Sequence, residues 1–150
     1  MQMPAKKNCT AESPAADILV EMDEAYTALK QYIATLGHLL DAPCVDRRQL
    51  TTVRLQLASI RLVHGAAVAR AYRYLLQRLS GAEHSAIQEL QVTHQRLLHL
   101  AAAHTAQWTL DAVEANWSDY KKTTRALLHS WSEKTEFERQ RLYPLLQRYA

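Results

Sequence analysis

Lys134 and Glu138 stand four residues apart in Lys134-Thr-Glu-Phe-Glu138-Arg-Gln-Arg-Leu142-Tyr143-Pro144. On a helix that spacing sets an ammonium and a carboxylate one turn apart on the same face. The remainder of the face is apolar, through Leu127, Trp131, Leu142 and Leu145, and His64 and His94 interrupt two other apolar seams in the same way. Seam positions ordinarily hold Leu, Ile, Val or Ala, because a buried charge or unpaired polar group is costly. These four residues therefore need partners. Two chemistries fit: a hydrogen-bonded polar layer that fixes helix register, or a ligand set of two imidazoles and a carboxylate.

The elements that carry these residues are helical. Ser13-Pro14 reads as N-cap and first helical residue. From there Met22, Tyr26, Leu29, Ile33, Leu36 and Leu40 recur at spacings of three and four, which predicts a first helix over about 14 to 40. Asp41-Ala-Pro43-Cys44 breaks the pattern, and Asp46 with Gln49 resembles a capping box. The second seam runs through Leu50, Val53, Leu57, His64, Val68 and Leu75 to Ser80-Gly81. A third helix starts near Ala82 and carries Ile87, Leu90, His94, Leu97, His104 and Trp108, with a break expected at Asn116-Trp117-Ser118. The fourth follows to the end of the chain, and Pro144 is expected to kink it. Long amphipathic helices joined by short loops predict an all-α, up-down-up-down antiparallel four-helix bundle over 13–150, after a flexible lead-in at 1–12.

In such a bundle, residues equally far from a shared loop lie at about the same height, each residue rising about 1.5 Å. Counted from the loops, His64 falls opposite Met22 and Asp23. His94 falls one turn from His64 and beside Glu138. Asp23, His64, His94, Lys134 and Glu138 are thereby expected near one level.

On these residues the chain resembles the hemerythrin-like, or HHE cation-binding, family. Its pattern is one His on helix one, H-x-x-x-E on helices two and four, one His on helix three, and a Leu-Tyr/Phe-Pro segment after each H-x-x-x-E. Glu138 with Leu142-Tyr143-Pro144 is similar to the closing segment, and His64 and His94 fall on the histidines of helices two and three. The resemblance implies a four-helix bundle, two bound irons, and roles in binding or sensing oxygen or redox state. Lys134 stands at the helix-four histidine, Val68 at the helix-two glutamate, and Asp23 on or near the helix-one histidine. An ammonium has no lone pair and valine has no donor, so a complete di-iron site is not expected. We expect Lys134 to replace the metal electrostatically in a metal-free polar core. The rival is a single iron or zinc held by His64, His94 and Glu138, with Asp23 joining.

The other features exclude more than they assign. With 48% hydrophobic and 22% charged residues and only 3 Gly and 4 Pro, the chain suits one folded helical domain. A net charge of +3, scattered among acidic residues, is weak support for a nucleic-acid partner, and no apolar run reaches membrane-spanning length. Without a secretion signal or a disulfide pattern in Cys9 and Cys44, a cytoplasmic location is the expectation. Neither cysteine has a base at fixed spacing, and phosphate loops and G-x-S-x-G elbows are missing, so an enzyme is not expected. His64-Gly65 lacks the lysine of histidine phosphotransfer modules. His104 and His129 are expected to face one another. Tyr72-Arg73-Tyr74 with Arg70 and Arg78 reads as an aromatic and basic patch for a protein partner or an anionic ligand, and Trp108, Trp117 and Trp131 as an end cluster. The expected function is a non-catalytic sensing, regulatory or protein-interaction module with a degenerate metal site.

Overall fold

Ser13 and Asp46 open the first two helices through their side chains, accepting hydrogen bonds from the backbone N–H of Ala16 at 3.2 Å and Gln49 at 3.0 Å. The computed structural model describes residues 13–150, and all regular elements among them are helices. These are α1 (Pro14–Leu40), α2 (Arg47–Leu76), α3 (Gly81–Gln107), α4 (Leu110–Ala115) and α5 (Trp117–Gln147). The expected lead-in at 1–12, with Cys9, lies outside the described residues. Among those described, no helix is long and apolar enough to cross a membrane.

Among the described residues five helices form where the periodicity predicts four. The third helix stops at Gln107, and Thr109 then caps the six-residue α4 by accepting from the N–H of Ala112. Asn116 does precede the last helix, but its side chain makes no capping bond. At the α2–α3 connection the helix ends at Leu76, and Leu79 N–H folds back to the carbonyl of Leu75 at 2.8 Å. Gly81 takes φ +60 there, a region that L side chains enter only with strain. Pro144 lies inside α5 and leaves the carbonyl of Gln140 without its helical donor.

The long helices pack in sequence: α1 on α2, α2 on α3 and α3 on α5, with α1 also against α5 and the short α4 against α5. Their seams bury two apolar clusters. One gathers Ile18, Met22, Tyr72, Leu75, Ile87 and Leu142, and the other Leu36, Leu40, Leu50, Leu97, Trp108 and Trp131. Along α2, α3 and α5 the polar seam residues fall where one cluster gives way to the other: His64 after Leu57 and before Ala67, His94 after Leu90 and before Leu97, Lys134 and Glu138 after Trp131 and before Leu142. A polar layer thus divides the core.

Candidate functional site

Glu138 is at the centre of that layer, with 0% of its surface exposed. Four side chains from three helices surround its carboxylate. Tyr26 of α1 donates its hydroxyl to Oε1 at 2.6 Å, and Tyr72 of α2 donates to Oε2. The ammonium of Lys134, one turn earlier on α5, lies 2.8 Å from Oε2, and His64 Nε2 lies 3.7 Å from Oε1. On its other side the Lys134 Nζ is 2.5 Å from His94 Nδ1 on α3. An ammonium can only donate, so this nitrogen of His94 is the acceptor and carries no proton. Trp131 closes the layer, its ring centroid 6.4 Å from that of His64 and 6.1 Å from that of His94.

Burial and charge act on these groups in opposite senses. Burial alone would favour the protonated carboxyl of Glu138, but the Lys134 charge and the hydrogen bonds from Lys134, Tyr26 and Tyr72 outweigh it and hold the group below its ordinary value. For Lys134 burial wins, and its pKa falls despite the Glu138 charge. Burial, reinforced by Glu138, raises both Tyr26 and Tyr72, so the hydroxyls keep the protons they donate. His64 and His94 are lowered to about 4, first by burial and then by Lys134. Both imidazoles are therefore neutral near pH 7. His94 spends one lone pair on Lys134, whereas neither ring nitrogen of the buried His64 has a hydrogen-bond partner among the described residues.

Four of the five residues expected at this level meet there: His64, His94, Lys134 and Glu138. Asp23 does not. It is exposed, and accepts from the hydroxyl of Tyr143 at 3.4 Å. Tyr26, three residues on, supplies the α1 contribution. Tyr72 corrects the expected surface patch, since only 1% of it is exposed and it points into the core. Its spacing carried the signal, four residues after Val68 and three before Leu75 on the same seam. Trp131 belongs to this layer, while Trp108 and Trp117 pack on Tyr120 at the end of the helices. His104 and His129 do not pair: His104 Nε2 is 3.1 Å from Thr124 Oγ1, and the exposed His129 pairs with Glu133.

Among the described residues no three His, Cys, Asp or Glu side chains converge as metal ligands, the Lys134 ammonium standing between His94 and Glu138. Comparison of the chain with protein-family models, with curated proteins and with solved structures finds no match.

Proposed function

We propose that this chain is a degenerate hemerythrin-like protein, an up-down-up-down four-helix bundle in which Lys134 takes the place of a metal and which acts as a non-catalytic sensing, regulatory or interaction module. The observation that carries the reading is the position of Lys134 Nζ, 2.5 Å from His94 Nδ1 and 2.8 Å from Glu138 Oε2. A cation is thereby placed between an imidazole and a carboxylate, the two ligand types that a zinc or iron ion would engage. The bundle topology is supported by the sequential packing of the long helices and their short connections. An interaction role is supported by apolar side chains left in solvent on α2, where Leu55, Leu62 and Val63 are 69%, 77% and 61% exposed.

The second reading, one iron or zinc on His64, His94 and Glu138, is favoured by the two unpartnered ring nitrogens of His64, 1% exposed. It requires the Lys134 side chain to leave the layer and expose an ammonium now paired on two sides. Metal analysis and absorption spectra of full-length protein purified without chelators discriminate. The Lys134 reading expects sub-stoichiometric metal and no charge-transfer bands. Near-stoichiometric iron or zinc would overturn it.

A further inference from the structure

A second feature lies beside the polar layer and is independent of how that layer is read. A cavity of about 310 Å³ opens among α2, α3 and α5, with Leu36 of α1 and Leu110 of α4 also on its walls, within the size range of small-molecule sites. Its deeper wall is apolar and buried, formed by Leu36, Leu57, Ala101 and Trp131. Two partly buried arginines, Arg54 and Arg61, line it one helical interval of seven residues apart on α2, and among the described residues no carboxylate lines it.

The charge of these arginines is not balanced. Neither forms an ion pair among the described residues, although Arg47, Arg70, Arg125 and Arg148 all do. The one hydrogen bond of Arg54 is to the carbonyl of Thr105 at 3.4 Å. The Arg61 guanidinium is disfavoured first by burial and then by Arg54, and His104, also on the cavity wall, is pushed down by burial and by both arginines. The walls therefore hold two cations, a neutral imidazole and the hydroxyl side chains of Thr51, Thr105, Tyr120 and Thr124 around a volume whose remaining lining is mostly apolar. Unpaired charge at a desolvated site is costly, and planar guanidinium groups suit a carboxylate. Trp131 adds a buried indole N–H without a partner on the same wall.

We propose that this cavity binds a small amphiphilic carboxylate, its head on Arg54 and Arg61 and its hydrocarbon body against Leu36, Leu57, Ala101 and Trp131. The split follows from burial: the arginines are partly exposed and the four apolar residues are not. Because the Trp131 ring also packs on His64 and His94, occupancy changes the surroundings of the layer and the emission of Trp131.

The test is titration calorimetry on the full chain with octanoate, octanol and inorganic phosphate, with tryptophan emission as a second readout. Octanoate is expected to bind saturably at one site and at least about tenfold more tightly than either other probe, since only it satisfies both charge and apolar surface. Arg54→Met and Arg61→Met are each expected to weaken octanoate about tenfold. Equal binding of octanol would reduce the site to an apolar hole, and equal binding of phosphate to a bare anion cluster. Either result overturns the proposal, as does no saturable octanoate binding. The three-probe comparison on the unmodified protein decides even if an arginine variant misfolds.

Discussion

Replacing Lys134 by Met removes the ammonium and keeps most of the volume, so it isolates the charge. Glu138, fully buried, would then retain the Tyr26 and Tyr72 hydroxyls but lose the cation 2.8 Å from Oε2. Removing one partner of a buried pair costs about 3–5 kcal/mol. Part of that is recovered by protonation, either of Glu138 itself or of His64, whose Nε2 is 3.7 Å away and whose proton Lys134 now disfavours. We expect a loss of about 3 kcal/mol at pH 7, a large share of the roughly 5–15 kcal/mol of an ordinary domain. The assay is urea denaturation followed by far-ultraviolet circular dichroism, run as a double-mutant cycle with Glu138→Gln. A coupling of at least about 2 kcal/mol is expected. Without the lysine, burial raises the folded-state pKa of Glu138 above its unfolded value of 4.5. Stability from the protonated carboxyl is then present below that value and lost as pH rises toward neutrality, so the deficit shrinks at pH 5. Lys134→Met with wild-type stability, or a coupling under about 0.5 kcal/mol, would refute the electrostatic account of the layer.

Unmodified protein should lose stability on acidification from pH 6.5 to about 4, because His64 and His94 bind protons only when unfolded across that window. At about 1.4 kcal/mol per pH unit His64 alone accounts for about 3 kcal/mol, and Glu138, lowered in the folded state, adds loss in the same direction at the acid end. Denaturation curves at several pH values check this, and a flat profile contradicts it. His64→Leu should be neutral or stabilising by up to about 1 kcal/mol at pH 7, since the imidazole is buried without partners, and should flatten the acid slope. Tyr26→Phe and Tyr72→Phe should each cost about 1.5–3 kcal/mol, the range for a hydrogen bond to a charged group, measured by the same denaturation. Lys134→His supplies a third imidazole to His64, His94 and Glu138 and should bind cobalt(II) with visible absorption bands where the unmodified chain shows none. Failure of that variant to bind would mean that the helices do not hold the four positions at ligand spacing.

Much of the frame is legible in the sequence. Ser13 and Asp46 announce helix starts because each offers a side-chain acceptor to an unpaired backbone N–H, a bond made within four residues. The meeting of His64, His94, Lys134 and Glu138 was legible for a related reason. Helical rise is constant and the connections are short, so counting from the loops yields height. Height resolves a turn but not a direction around the helix: Asp23 and Tyr26 are less than one turn apart, yet one is in solvent and the other on Glu138.

Other decisions belonged to the tertiary structure alone. Tyr26 counts as an apolar seam residue and Tyr72 as part of a surface patch until a buried carboxylate gives their hydroxyls an acceptor, and that acceptor is on another helix. The short α4 has six residues, too few for periodicity to declare it. The Arg54–Arg61 cavity depends on where side chains from several helices fail to fill space, which no single helix encodes. Local bonds and a regular rise are written along the chain, whereas partners and voids arise only where separate helices meet.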